Sequence, residues 1–383
     1  MFRSFFFAGF ECATGFNARG DWIDQVSATH HDKHADEDYC RLKDVGIFAA
    51  REAVRWPLVD RRGKYDFSSL EPFLEASHKY NIDVIWDLFH YGYPEDVDIF
   101  SDEFVRRFAD YCFEAAKHLC PFSETCYFTP VNEPSYFSWA AGDAARFAPH
   151  CRGRATELKV QLIRAAIQGI NAIWSVAPHA RIVNADPLCR VVAPADKPEL
   201  APAAEIYNDR AVYECWDMLC GRVLPELGGS RKHLDIVGVN YYWTNQWELG
   251  RDEVALDESD PRLVPLRTLI AQVSRRYGGD LLITETSHVS EKRASWIEYV
   301  ANEAEALLDD GIPLGGVCLY PILGMPEWHE PERWTAMGLW DIVHTQQALN
   351  REICSPMYEA LRFAQRLEER HRLLRESRLH AAH

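Results

Sequence analysis

The chain has 383 residues and contains no Cys-x-x-Cys pair, although it carries 11 cysteines. That excludes a zinc ribbon or a dithiol redox motif. An odd number of irregularly spaced cysteines reads as free thiols in a reducing compartment, which predicts a cytoplasmic protein. No apolar run is long enough to span a bilayer. The apolar start, residues 1–10, is too short for a signal-peptide core and reads as a first strand. No Pro/Gly/Ser linker and no internal repeat divides the chain, so one domain over residues 1–383 is expected. The first apolar run lacks a phosphate-binding glycine turn: Gly9-Phe10-Glu11-Cys12-Ala13-Thr14-Gly15 has the wrong pattern for a dinucleotide fold. Positive charge is also in deficit. Lys and Arg total 41 against 58 Asp and Glu, a net charge of −17, which argues against nucleic acid, an anionic membrane or a strongly anionic substrate as partner.

What is present is regular. Strand-like apolar or β-branched runs cover residues 5–11, 47–56, 82–90, 126–133, 181–186, 236–242, 281–285 and 316–321. Helix-like stretches lie between them at 37–45, 70–80, 103–119, 157–176, 203–219, 263–277 and 295–310. Strict alternation argues a parallel sheet, and eight repeats of the unit argue a closed α/β barrel, a single (β/α)8 TIM barrel. Residues 192–202, rich in Pro and Ala, read as a loop after the fifth strand. The Arg-rich tail, 358–383, reads as a final barrel helix with a solvated end. The segment His30-His31-Asp32-Lys33-His34 invites a metal reading. Nothing else stands at ligand spacing, so it is read as a polar loop ahead of a helix, and no metal or cofactor is expected.

Two carboxylates carry the chemical information. Glu133 ends Tyr127-Phe128-Thr129-Pro130-Val131-Asn132-Glu133-Pro134, and Glu285 ends Leu281-Leu282-Ile283-Thr284-Glu285-Thr286. Each closes a buried-type strand, and in a barrel of parallel strands those ends form the reactive face. A facing pair of carboxyl groups is the equipment for cleaving a glycosidic bond. With retention, one acid protonates the leaving oxygen while an ionised partner about 5–5.5 Å away attacks the anomeric carbon. The acid then needs a raised pKa, and the nucleophile needs a cation and hydroxyl donors. The 12% aromatic content fills the core and also offers rings to stack on sugar faces.

Motifs along most of the chain resemble glycoside hydrolase family 1, the β-glucosidases and β-glycosidases. The resemblance rests on Asp38-Tyr39-Cys40-Arg41-Leu42-Lys43-Asp44-Val45-Gly46-Ile47, Ala50-Arg51-Glu52-Ala53-Val54-Arg55-Trp56-Pro57, Val131-Asn132-Glu133-Pro134, Gly238-Val239-Asn240-Tyr241-Tyr242 and Ile283-Thr284-Glu285-Thr286. It implies Glu133 as acid/base and Glu285 as nucleophile, with Arg51 and Tyr242 supporting the nucleophile. It implies Asn132 on the sugar 2-hydroxyl and His90 on a ring hydroxyl. It implies Tyr320 as an aromatic platform where tryptophan is usual, and Glu327 with Trp328 on the hydroxyls at positions 4 and 6. A carboxylate at Glu327 disfavours a 6-phosphate. Tyr91 replaces a tryptophan. No glutamine stands in register after the first strand, and Glu11 takes its place as a sugar-binding residue. Thr286-Ser287 replaces Asn-Gly after the nucleophile motif, and the chain is shorter than usual. The implied activity is hydrolysis of neutral β-glucosides or β-galactosides by double displacement, with a small-molecule β-glycoside or oligosaccharide as partner. A transglycosidase and a non-catalytic carbohydrate-binding barrel are the alternatives.

Overall fold

The computed structural model describes residues 1–123, 125–251, 254–345 and 349–381, with side chains as far as residue 373. Eight parallel strands close a barrel: β1 Phe6–Gly9, β2 Ala49–Ala53, β3 Asp83–Asp87, β4 Tyr127–Thr129, β5 Arg181–Pro187, β6 Ile236–Asn240, β7 Asp280–Thr286 and β8 Leu314–Leu319. Each strand pairs with its neighbours in sequence. The ring closes through Phe7 opposite Cys318 and Ala8 opposite Ala50. All eight expected strands are there; five are shorter than their apolar runs, Leu314–Leu319 is shifted by two residues, and Arg181–Pro187 and Asp280–Thr286 run one or two residues longer than expected. Burial on both faces explains the shorter ones, because the run continues into the buried loop that follows the strand.

Side chains alternate between the barrel interior and the surrounding helices. One interior layer takes a residue from every strand: Phe7, Ala49, Ile85, Tyr127, Val183, Ile236, Leu282 and Cys318. Further along, toward the C-terminal ends of the strands, the interior becomes polar. Arg51, Asp87 and Asn240 are buried there, with Thr284 beside them. Room for this layer comes from small residues. A Cβ at Gly9 would overlap the Tyr320 ring, and one at Gly238 would lie 2.7 Å from the Thr284 methyl.

Helices Ala35–Asp44, Glu71–Tyr80, Asp102–Leu119, Ala155–Val176, Leu266–Tyr277 and Lys292–Asp309 wrap the barrel. The tail forms helix Ser355–Ala381, which packs on Lys292–Asp309 and buries Leu361 and Ala364. Three expectations need correction. The helix expected at 203–219 is divided into Ala201–Asp209 and Glu214–Leu219. The chain turns at Arg210 so that Asn208 can pair with the Val191 backbone while Trp216 enters the core and donates to the Asn184 carbonyl at 3.0 Å. The loop expected at 192–202 contains a short helical turn, Pro198–Leu200, and is preceded by strand Arg190–Val192, paired in parallel with Gln246–Glu248. The polar loop expected at residues 30–34 hides His31, which is 1% exposed. Its ring stacks on Phe10 at 3.6 Å between centroids, and its nitrogens meet Asp38 at 2.9 Å and Glu52 at 3.0 Å.

None of the helices among the described residues is long and apolar enough to cross a membrane. All 11 cysteines are free.

Candidate active site

The two glutamates reach the same cavity by different backbone devices. Glu285 lies on β7, where the register against β6 shifts between Ile283 and Glu285. The irregularity sends Thr284 toward Asn240, with its hydroxyl donating to Asn240 Oδ1 at 2.6 Å, and leaves Glu285 lining the cavity. Glu133 lies beyond the end of β4. Its N–H donates to the Ala185 carbonyl at 3.0 Å, and its φ of 47° is left-handed. Such a conformation costs a non-glycine residue about 1–3 kcal/mol and persists only where its surroundings enforce it. Pro134 then opens helix Pro134–Gly142.

The surroundings of the two carboxylates differ in kind. Arg51 Nη1 donates to Glu285 Oε1 at 2.7 Å, and the Tyr242 hydroxyl donates to Oε2 at 2.9 Å. A guanidinium and a phenol both favour the ionised carboxylate. Glu133 has no cation paired to it among the described residues. Asn240 Nδ2 donates to its Oε1 at 2.9 Å and the Tyr91 hydroxyl to its Oε2 at 2.9 Å. Burial, followed by the Glu285 charge, pushes its carboxyl well above the usual range, against the pull of these two donors. The two carboxyls thus differ in kind, one beside a guanidinium and a phenol and the other pushed by burial toward its protonated form, the inequality that an acid and a nucleophile require.

Arg51 also organises the layer beneath. Its Nη2 donates to Asn132 Oδ1 at 2.7 Å and pairs with Asp87 Oδ2 at 2.7 Å. Asn132 Nδ2 lies 3.2 Å from His90 Nε2, and His90 Nδ1 lies 3.1 Å from Asp87 Oδ2. Glu11 Oε1 accepts from the Ala13 N–H at 2.9 Å and from the Tyr320 hydroxyl at 3.4 Å.

The cavity has a volume of about 710 Å³, and Glu11, Glu133, Tyr242, Glu285, Glu327 and Trp328 all line it. The indole N–H of Trp328 is buried without a partner and is free for a ligand acceptor. Glu327 is half-buried and pairs with Arg333 at 3.4 Å. Tyr136, Trp139, Tyr207 and Trp247 form an aromatic outer wall. His90, Asn132, Arg51 and Tyr320 stand just behind the lining. The Tyr320 ring faces the Arg51 guanidinium at 5.1 Å, and its hydroxyl accepts from the Cys12 N–H at 3.0 Å.

Four residues of the site received no role from the sequence. Tyr91 and Asn240 hold Glu133; Asp87 holds Arg51 and His90 together. Asp186, at the end of β5, accepts from the Ser135 N–H at 3.1 Å and adds its charge to those raising Glu133. Asn240 and Asp87 were detectable as polar residues at the ends of apolar strands. Tyr91 stood out only as an aromatic replacement.

Cys12, Asp87 and His90 bring possible metal donors within 4.8 Å of one another. The Arg51 guanidinium already occupies the Asp87 carboxylate, however, and burial pushes the Cys12 thiol well above its ordinary range. The thiol lies 3.0 Å from the Phe10 carbonyl as a donor. The set is a hydrogen-bonded support with its own cation.

No protein-family model matches the chain, and no curated protein matches it. Solved structures do. The family 1 β-glucosidase from Thermotoga maritima is 15% identical, with a TM-score of 0.76 over 95% of this chain and 98% of that one. Its complex with isofagomine lactam is 16% identical over the same shares, also at 0.76. The deoxynojirimycin complex is 16% identical, with a TM-score of 0.75 over 96% and 99%. The chain is thus similar in fold, over nearly its whole length, to family 1 β-glucosidases.

Proposed function

We propose that the protein is a retaining β-glycosidase for hexosides that carry no negative charge, of gluco or galacto type. The observation that carries this reading is the unequal environment of Glu133 and Glu285 in one cavity. Glu285, ionised between Arg51 and Tyr242, attacks the anomeric carbon as Glu133 gives its proton to the leaving oxygen. The product of this step is a glycosyl ester on Glu285 and a free alcohol. Glu133, now a carboxylate, takes a proton from water as that water attacks the anomeric carbon, which frees Glu285 and restores the acid. Asn132, held by Arg51, is placed for the 2-hydroxyl. The aromatic outer wall suits a sugar or aryl group on the leaving side, and a sugar acceptor bound there would divert the same intermediate to transglycosylation.

The test is intact-protein mass spectrometry after incubation with activated 2-deoxy-2-fluoro β-glycosides, for wild type and Glu285→Gln. A stable one-sugar adduct on wild type alone, mapped to Glu285, is expected. A folded wild type that forms no adduct with any sugar of the panel would overturn the reading. Glu133→Gln should lower kcat by about 10²–10⁴-fold with an alkyl leaving group. It should lower it far less with dinitrophenolate, which leaves without a proton.

A further inference from the structure

Glu11 is a carboxylate at the cavity wall with no Lys or Arg paired to it among the described residues; the imidazole of His90 is its one basic neighbour within ion-pair distance. It follows β1 by two residues, is 6% exposed and lines the cavity. One oxygen, Oε1, takes the contacts with the Ala13 N–H and the Tyr320 hydroxyl. The other, Oε2, has no hydrogen-bond partner among the described residues. Two basic groups are near. Arg51 commits both terminal nitrogens to Glu285, Asn132, Asp87 and the Thr284 carbonyl, and only its Nε is left without a partner. His90 Nε2 stands 3.7 Å from Oε1, beyond hydrogen-bond reach, with its other nitrogen on Asp87.

Charge at this end of the cavity is out of balance. Glu11, Asp87 and Glu285 gather near the single guanidinium of Arg51, with His90 between Glu11 and Asp87 and the Glu133 carboxyl pushed toward its protonated form beside them. A buried acid demands either a proton or a counter-ion. Burial first, with the Glu285 charge adding to it, brings Glu11 up to about 7 despite His90, the Ala13 N–H and Arg51. A sugar hydroxyl would satisfy one lone pair of Oε2 and leave the charge uncompensated. A protonated amino group would satisfy both, through a short charge-assisted bond in a site screened from water.

We propose that the glycone subsite selects an amino-substituted β-hexoside, with the ammonium group held by Glu11. The inference rests on the glycosidase reading only for which end of the cavity holds the glycone.

Calorimetry separates the two. The full-length Glu285→Gln protein, which cannot turn substrate over, is titrated at pH 7.5 with methyl β-glucoside and with its 2-, 3-, 4- and 6-amino-deoxy analogues. The same ligands are titrated into the double variant Glu11→Gln, Glu285→Gln, with its melting temperature as a check on folding. One amino analogue should bind at least tenfold tighter than the parent glucoside, and Glu11→Gln should erase or reverse that preference. A parent glucoside that binds as tightly as every amino analogue would overturn the proposal. So would a preference that survives Glu11→Gln, or an absence of binding by any member of the panel. A Glu11-dependent amino preference in a protein that forms no adduct even with the activated 2-fluoro or 5-fluoro glycoside bearing the preferred amino group would leave this proposal standing and remove the hydrolase reading.

Discussion

Arg51 and Glu52 are neighbours on one strand, and the alternation of β2 sends them to two different buried acidic clusters. Outside the barrel, Glu52 and Asp38 face His31, Arg351 and Arg41. Arg351 binds Asp38 through two nitrogens, each at 2.8 Å, and Tyr39 donates to Glu52 at 2.9 Å. Burial alone would push His31 down, but the Glu52 charge and its bonds to Asp38 and Glu52 bring it up to about 9. Cations there answer the acids, and His31, Asp38, Glu52 and Arg351 are buried. Inside the barrel, Arg51 pairs with Glu285 and Asp87, and Glu285, Glu133 and Glu11 open onto a cavity. The closed, balanced cluster is a structural joint between strand, helix and tail. The open one presents Glu11, Glu133 and Glu285 to a cavity.

The sharpest way to break this comparison is to unbalance the outer cluster. Arg351→Ala leaves Asp38 buried beside Glu52 with one cation fewer and should destabilise the fold by about 3–5 kcal/mol. Chemical denaturation would show it as a lower midpoint, while kcat/KM of the folded fraction stays within about twofold. A matching loss of activity would mean that the two clusters are coupled.

The next effect is in the pH dependence of stability, where the two clusters titrate in separate windows. Glu11 is raised from 4.5 to about 7 on folding. Between those values the unfolded chain has lost a proton that the folded chain retains, so stability falls as pH rises and the cost is complete above about 7. Glu11→Gln removes that slope, and its stability advantage over wild type should grow by about 2–3 kcal/mol between pH 5 and pH 8. His31 is raised from 6.5 to about 9. Its contribution, about 3 kcal/mol, is fully present below pH 6.5 and is lost as pH climbs through 9. Denaturation midpoints of wild type and Glu11→Gln across this range check both windows. A constant difference between the two proteins would sink the idea that Glu11 is buried without compensation.

The smallest effect concerns Tyr91, whose hydroxyl favours the ionised form of Glu133. Tyr91→Phe should raise the basic limb of the kcat/KM profile by about one pH unit, in keeping with a hydrogen bond to a charged group. A uniform fall at every pH with no shift would mean that Tyr91 only packs, against Phe137 at 5.0 Å among others.

Much of the site was legible because its chemistry sits at strand ends, which apolar runs locate. Glu133, Glu285, Arg51 and Tyr242 needed only that rule and the motifs around them. What escaped depends on contacts between distant segments. Asp38 meets Arg351 across 313 positions, so nothing in residues 30–34 announced that His31 would be buried. The divided helix at 201–219 was hidden for the same reason, since its break serves partners at Asn184 and Val191.

The sequence by itself determined the eight-fold alternation, and with it the barrel and the face on which its carboxylates gather. Periodicity is local, and a strand needs only its own residues and a neighbour to form. Tertiary structure alone decided how differently the two glutamates are surrounded. Burial, the reach of Arg51 to Glu285, the donors from Tyr91 and Asn240 to Glu133 and the empty side of Glu11 are all set by distances across the barrel, and electrostatics depends on those distances rather than on order along the chain.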